Sequence, residues 1–205
     1  MQERRSNADR SQETRGVLLA AARELFLEKG YAATGTPEVV ERAGVTRGAL
    51  YHHFKDKKAL FQAIVELEAA QIAAEIEQGS SGAETPHAAL LLGARSYFVA
   101  MQDPHRVRLM LLDGPAILGA EVMRRIDLET GGRELRQGIE DALQPDTPPA
   151  QVDTIADLVS AMFDRAVLAC NAGADARAYE DALASLLTML TCQCDRTAFS
   201  NVLTP

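Results

Sequence analysis

The sequence predicts an all-α protein, and three observations favour that class. Apolar residues recur at spacings of three and four through most of the chain, as they do along one face of an α-helix. Helix start and stop signals follow one another closely, while strand-like runs of alternating apolar and polar residues are nearly missing. Hydrophobic residues make up 47% and charged residues 24% of the chain, a composition that excludes disorder throughout.

The first four predicted helices each begin at a side chain that can accept a hydrogen bond from the first turn: Ser11, Thr36, Thr46 and Asp56. Pro37 then occupies the first position of the second helix. Gly30 and Gly44 end the first and second helices, and the sequence "GSSG" ends the fourth. The predicted spans are 11–29, 36–44, 46–53 and 56–78.

Longer helices are predicted beyond residue 85. The predicted spans are 86–102, 116–143 with a bend at Gly131 and Gly132, 150–170, and 178–192, and the sequence "DGP" at 113–115 predicts a turn. The predicted organisation is a flexible arm at 1–10, a domain of shorter helices at 11–58, a larger helical domain at 59–195 and a frayed tail at 196–205.

Positive charge is concentrated at the start of an otherwise acidic chain. Residues 1–60 carry 11 lysines and arginines against 8 acidic residues, whereas the remainder carries 10 against 21. This asymmetry indicates a nucleic-acid-binding surface near the start. The alternative is a solvated surface whose charge simply varies along the chain.

Two short helices joined by "AGVT" after a longer helix describe a helix-turn-helix. In that motif the second short helix enters the major groove of DNA. At about 100° per residue, Phe54 falls beside Leu50, while Gly48, Tyr51 and His52 fall on the opposite side. We therefore expect Leu50 and Phe54 to anchor the helix and the other three residues to be exposed.

The residues on this segment have the chemistry of DNA contact. Arg47 can donate two hydrogen bonds to guanine, and Gly48 lets the backbone approach the groove closely. Tyr51, His52 and His53 can donate hydrogen bonds to phosphates. Lys57 and its neighbour Lys58 begin a helix, where a cation opposes the helix dipole unless an anion binds there. The alternative for the two lysines is simple solvation.

The sequence "AARELFLEKGYAATGTPEVVERAGVTRGALYHHFKDKKALFQAI", residues 21–64, resembles the DNA-binding domain of TetR-family (tetracycline-repressor-like) transcriptional regulators. The resemblance rests on "LF" to "KGY", on "AGV", and on "GALYHHF" followed by "KALF". It implies a ligand-responsive regulator, most simply a repressor that a small-molecule inducer releases from a palindromic double-stranded DNA operator. It also implies DNA contact by Thr36, Thr46, Arg47, Gly48, Tyr51, His52, His53 and Lys57.

The rest of the chain is expected to form a ligand-binding and dimerisation domain. The resemblance implies a homodimer built on the last two helices, and the wide apolar stripes at 150–170 and 178–192 agree with it. The alternative for these stripes is the core of a monomer. Arg95 interrupts an apolar stripe, so we expect it to be buried beside Asp113 or Asp164, or to line the ligand pocket. The candidate pocket residues are Arg95, Phe98, Met101, Asp113, Met123, Met162 and Phe163; core packing is their alternative.

Other functions find less support in the residues. No nucleophile, base and orienting group fall into a recognisable pattern, so no enzyme, cofactor or metal is predicted. The pair Cys192 and Cys194 could bind a metal, but half-buried thiols are expected for these and for Cys170. A helical adaptor that binds an acidic protein, or a pocket enzyme without DNA affinity, remains the alternative.

No signal peptide or membrane span is evident, which predicts a cytoplasmic protein.

Overall fold

The computed structural model describes residues 7–191, and every regular element in that part of the chain is helical. The predicted all-α class is confirmed. The helices are α1 (Asn7–Lys29), α2 (Thr36–Ala43), α3 (Arg47–His53), α4 (Lys57–Ser80), α5 (Pro86–Ala100), α6 (Pro104–Val107), α7 (Gly114–Leu118), α8 (Ala120–Glu129), α9 (Gly131–Ala142), α10 (Pro149–Asn171) and α11 (Ala176–Thr191), with a π-helical segment at Arg108–Asp113.

The chain divides into two compact units. Within the described residues, the first contains 7–68 together with Arg108–Met123, and the second contains Ala69–Val107 and 124–191. The helix α4 contributes residues to both units, as does α8. The domain boundaries drawn from the sequence stay a prediction.

The core of the first unit forms where α1 packs on α2 and α3 and where α4 supplies further apolar side chains. The rings of Phe26, Tyr31 and Phe61 meet with centroids 5.1–5.5 Å apart. An ion pair joins α1 to α4, because Arg23 Nε lies 3.0 Å from Glu68 Oε2; the glutamate is 2% exposed and the arginine is half-buried. The largest fully buried side chains here are Leu18, Leu25, Val39, Leu50, Leu60, Phe61, Ile64 and Val65.

The second unit is a helical bundle in which α9 packs against α5 and α10, and α11 packs against the same two helices. Its core includes residues from the two apolar stripes predicted at 150–170 and 178–192, together with residues from α5, α8 and α9. The buried side chains include Leu90, Phe98, Ile126, Ile139, Val152, Val159, Phe163, Val167, Leu183 and Leu187.

Two predicted helix starts are confirmed and two are wrong. Thr46 Oγ1 accepts from the amide of Ala49 at 3.1 Å, and Asp56 Oδ1 accepts from the amide of Ala59 at 2.7 Å. Ser11 does not cap the first helix, because the chain is already helical from Asn7, the first residue that the structure describes. The negative charge of Asp9, in the first turn, interacts favourably with the positive end of the helix dipole. Arg10 Nη2 donates to Asn7 Oδ1 at 2.7 Å.

The residue that caps α2 is Gly35, so the predicted cap at Thr36 is wrong. The extended backbone of Gly35 places its carbonyl 3.2 Å from the amide of Val39. Thr36 lies in the first turn instead, and its hydroxyl faces Tyr51. The hydroxyl is thereby turned toward α3 and does not cap its own helix.

The predicted turn at 113–115 is also wrong, because Asp113 ends the π-helical segment and Gly114 begins α7. Pro115 fits there because a proline is tolerated in the first turn of a helix. The expected continuous helix from 116 is broken at Gly119, whose φ of +93° favours glycine. The bend expected at Gly131 and Gly132 lies at Thr130, directly before α9.

Candidate nucleic-acid interface

The helix α3 is held to its unit by the two residues that the sequence identified as anchors. Leu50 is 0% exposed and Phe54 is 4% exposed, whereas Tyr51 on the opposite side is 43% exposed. Thr46, Arg47, Gly48 and His52 are exposed as well. The predicted division of this helix into a packed side and an outward side is confirmed.

Three of the predicted contact residues come together on the outward side. The guanidinium carbon of Arg47 lies 5.4 Å from the centroid of the Tyr51 ring, and the Tyr51 hydroxyl lies 3.4 Å from Thr36 Oγ1. The hydrogen bond from Thr36, followed by Arg47, lowers the pKa of Tyr51 from its ordinary value. The three side chains form one polar patch at the start of α2 and α3, which we call the Arg47 patch.

The two histidines stand at the end of α3 with their ring centroids 5.2 Å apart. His53 is half-buried, and desolvation lowers its pKa below the ordinary 6.5, helped by the charges of His52 and Arg15. His53 is therefore a weaker cation in the free protein than an ordinary histidine, and its imidazole can still donate an N–H to a phosphate.

Lys57 is partly occupied inside its own unit. Its Nζ donates to the carbonyl oxygens of Tyr31 at 2.8 Å and Thr34 at 2.9 Å, and it lies 4.2 Å from the centroid of the Tyr31 ring. An ammonium has three N–H groups, so one is left for a phosphate. The neighbouring Lys58 is exposed.

The turn between α1 and α2 is held from within by Thr34, a residue that the sequence did not single out. Its hydroxyl is buried and lies 3.1 Å from the carbonyl oxygen of Leu25 and 2.9 Å from that of Gly30. A threonine four residues after a helix-ending glycine was the available signal, because its hydroxyl can reach free carbonyls at the helix end.

Several other cations of the first unit are paired with carboxylates. Arg42 Nη1 lies 3.2 Å from Glu24 Oε2, and Arg42 Nη2 lies 3.2 Å from Glu28 Oε2. Lys29 pairs with Glu38. These pairs cancel charge away from α3, so the uncancelled positive charge of the motif lies near Arg47 and the start of α4.

The candidate ligand residues are divided between the two units. Phe98, Met101 and Phe163 are buried in the second unit, where Met162 is half-buried. Asp113 and Met123 belong to the first unit and are half-buried.

The expectation that Arg95 is buried is wrong, because its side chain is exposed on α5. Its expected partners are engaged elsewhere: Asp113 Oδ2 accepts from Arg108 Nε at 3.0 Å, and Asp164 Oδ1 accepts from the Tyr97 hydroxyl at 2.8 Å. Leu92 and Val99, about one helical turn before and after Arg95, are exposed as well, so this side of α5 faces outward.

Tyr97 is the residue of the second unit that the sequence analysis missed. Its ring meets those of Phe98 and Phe163 at centroid distances of 6.4 and 5.5 Å, and its hydroxyl donates to Asp164. Burial raises the pKa of Tyr97, and burial likewise raises the pKa of Asp164. A tyrosine within an apolar stripe was the available signal, since a buried hydroxyl requires a partner.

Residues 7–191 contain no group of three histidine, cysteine or acidic side chains arranged to hold a metal ion. No helix in that same range has the length and apolar character needed to cross a bilayer. Cys170 is half-buried as expected, and burial raises the pKa of its thiol. Cys192 and Cys194 lie outside the described residues.

Comparison with known proteins identifies both parts of the chain. Residues 18–64 match the bacterial regulatory proteins of the tetR family, and residues 87–192 match the tetracyclin repressor-like C-terminal domain. The chain is 46% identical to the HTH-type transcriptional regulator AcrR of Shigella flexneri over 68 residues, which cover 33% of this chain and 32% of AcrR. The alignments to such curated relatives thus span about a third of their length.

Solved structures extend the likeness over nearly the whole chain. A TetR-family transcriptional regulator from Pectobacterium atrosepticum is 31% identical with a TM-score of 0.66, and the alignment covers 91% of this chain and 95% of that one. FadR from Bacillus subtilis, solved in complex with stearoyl-CoA, is 18% identical with a TM-score of 0.68 over 84% of this chain and 96% of that one, and it shares the fold. The C-terminal match alone covers more than half of the 205 residues. The chain belongs to the TetR family of bacterial transcriptional regulators.

Proposed function

We propose that this protein is a ligand-responsive DNA-binding repressor that acts in the bacterial cytoplasm, released from a palindromic operator by a small-molecule inducer. The observation that carries the proposal is the Arg47 patch, in which Thr36, Arg47 and Tyr51 meet on the exposed side of an anchored α3. An arginine at the start of a recognition helix can donate two hydrogen bonds to guanine in the major groove. The tyrosine and threonine hydroxyls stand where they can meet the adjacent phosphates.

The proposed interface comprises Thr36, Thr46, Arg47, Gly48, Tyr51, His52, His53 and Lys57. The exposure of α3 and the free N–H of Lys57 support it. Selection of duplexes from a random-sequence library, followed by footprinting on the DNA that flanks the protein's own gene, tests it. We expect the recovered duplexes to share a two-fold symmetric sequence. Recovered duplexes that share no sequence would instead favour an adaptor that binds acidic proteins.

A homodimer formed by α10 and α11 is the second part of the proposal. Leu158 is 60% exposed, Leu186 is 45% exposed and Met189 is 60% exposed, although all three belong to apolar stripes. Exposed apolar residues grouped on long helices mark an association surface. Reading a palindrome on one face of the duplex requires two α3 helices about 34 Å apart, the spacing of successive major grooves, and a two-fold dimer supplies the two copies.

Sedimentation of the Leu158→Glu and Met189→Glu double variant tests the dimer. We expect the parent to sediment as a dimer and the double variant as a monomer, because two buried charges per protomer would oppose association. Leu128→Glu is the matched control, since Leu128 is 51% exposed on α8 and lies outside the proposed surface. A double variant that remains dimeric would refute this interface and leave DNA recognition untouched.

The ligand is proposed to bind the second unit next to its aromatic cluster. Phe98, Phe163 and Tyr97 offer apolar walls, and the Tyr97–Asp164 hydrogen bond offers a polar group that a ligand can engage. FadR shares the fold and was solved with stearoyl-CoA, so acyl-CoA thioesters belong in the compound set. A compound that raises the melting temperature of the parent but not that of Phe163→Ala would support this location.

The proposed response of the repressor is a shift between two states of different DNA affinity. Because α4 contributes residues to both units, a change in its second-unit part on ligand binding can reach the DNA-binding residues. Linkage requires that DNA weaken ligand binding by the same factor by which the ligand weakens DNA binding. Equal ligand affinity with and without bound DNA would contradict the proposal.

A further inference from the structure

The segment Arg108–Asp113 is π-helical and belongs to the first unit, although it lies more than 40 residues beyond the helix-turn-helix in sequence. π-helical turns are rare and are frequent at functional sites. The chain passes from the second unit into the first between Val107 and Arg108. Arg108 is therefore the first residue of a segment that returns to the unit that contains the helix-turn-helix.

The guanidinium of Arg108 lies on the end of α1. Its Nε donates to Asp113 Oδ2 at 3.0 Å, and its Nη1 approaches the carbonyl oxygen of Leu27 at 3.5 Å. Its Nη2 lies 3.0 Å from the point where a Cβ would stand at Gly30. Gly30 has a φ of +82°, so both its backbone conformation and this close approach favour glycine.

This position allows a cation to stabilise the end of the helix. The carbonyl of Leu27 is one of the last four of α1, which have no partner inside the helix, and the helix dipole places negative charge there. Gly30 begins the turn that leads to Thr36, and Lys57 holds the later part of the same turn through Tyr31 and Thr34. Arg108 is therefore placed to fix the beginning of the turn that carries Thr36 to the Arg47 patch.

The segment that carries Arg108 is itself closely packed. A Cβ at Gly114 would lie 2.8 Å from the carbonyl oxygen of Leu109 and 2.9 Å from Met123 Sδ. Asp113 fixes the guanidinium at the end of the π-helical segment. The side chain is thus oriented by its own unit before any DNA is present.

We propose that Arg108, oriented by Asp113, is a positioning residue for DNA recognition: it holds the end of α1 and the following turn so that Thr36 and α3 meet the duplex together. This inference rests on the proposed function. It adds a determinant of DNA affinity that does not touch DNA and that lies outside the helix-turn-helix.

The test compares Arg108→Gln with the parent on two duplexes of equal length, one selected by the parent from a random library and one of scrambled sequence. We expect Arg108→Gln to bind the selected duplex about tenfold more weakly, because a loosened end of α1 has to be ordered when the protein binds DNA. Its affinity for the scrambled duplex should change by less than about twofold, because phosphate contacts dominate that binding. Arg108→Lys, which keeps the charge, should restore part of the loss.

The matched control is Arg133→Gln, which removes an exposed arginine paired with Glu134 in the second unit. It should bind both duplexes like the parent. Asp113→Asn keeps the side-chain shape and should also weaken binding to the selected duplex. If Arg108→Gln does not fold, the affinity of Asp113→Asn for the two duplexes tests the inference in its place.

Three outcomes would overturn the inference. Selected-duplex binding equal to the parent's would show that Arg108 positions nothing, and an equal loss on both duplexes would indicate a general loss of folded protein. A fall of about 0.9 per protomer in the salt slope would indicate a direct phosphate contact. If the parent itself enriches no sequence, the proposed function fails before Arg108 is tested.

Discussion

The two adjacent lysines at the start of α4 offer a sharp test, because the structure gives them different surroundings. Lys57 Nζ donates to the carbonyls of Tyr31 and Thr34, whereas Lys58 is exposed. Replacing each in turn by methionine keeps the length of the side chain and removes its charge. The two variants therefore differ mainly in the contacts that the first lysine makes.

The expected cost of Lys57→Met follows from those contacts. Each of the two hydrogen bonds from this charged group contributes about 1.5 kcal/mol, and a cation over an aromatic ring contributes about 0.5 kcal/mol. Against this, water can hydrate the freed carbonyls, and removing a cation from the first turn relieves about 0.3 to 1 kcal/mol of unfavourable dipole interaction. The net loss expected in the free energy of unfolding is about 2 kcal/mol.

Thermal unfolding measures this difference. At about 2–4 °C per kcal/mol for a chain of this size, Lys57→Met should melt about 4–8 °C below the parent. Lys58→Met should change the free energy of unfolding by less than about 0.5 kcal/mol, as surface substitutions usually do. Equal melting temperatures for the two variants would refute the assignment of Lys57 to the turn between α1 and α2.

Three further predictions rest on other contacts. Arg47→Gln should leave the melting temperature unchanged and lower selected-duplex affinity by about 1–3 kcal/mol, as measured by titration of labelled DNA; unchanged sequence preference would contradict base contact. Asp164→Asn should stabilise the protein at neutral pH, since burial raises the pKa of Asp164 and the ionised form carries a penalty above that pKa. The gain should shrink as pH falls toward the ordinary value of 3.8, and a gain that grows on acidification would show the sign to be wrong. Gly114→Ala should cost about 1–3 kcal/mol in chemical denaturation, because its methyl group would overlap the carbonyl of Leu109.

The sequence predicted best those features that depend on neighbours in the chain. The caps at Thr46 and Asp56, and the anchoring of α3 by Leu50 and Phe54, follow from spacings of a few residues, and each is confirmed. The break at Gly119 was missed because a single glycine in a helical pattern does not reveal the sign of its φ.

Contacts between distant residues could not be predicted in the same way. Arg108 meets Leu27 across 81 positions, and Lys57 meets Tyr31 across 26. Arg95 was expected to be buried because it lies within an apolar stripe, but its side chain is exposed. Whether a polar side chain faces the core, a backbone carbonyl or solvent depends on the packing of several helices at once.

The central claim is that the outward side of α3 and the start of α4 read duplex DNA. The most direct measurement is the affinity of the parent for its selected duplex and for a scrambled duplex over a series of salt concentrations. The claim predicts tighter binding of the selected duplex at every concentration, with log affinity falling linearly as log salt rises, by about 0.9 for each phosphate contacted. Equal affinity for the two duplexes, or an affinity independent of salt, would contradict it.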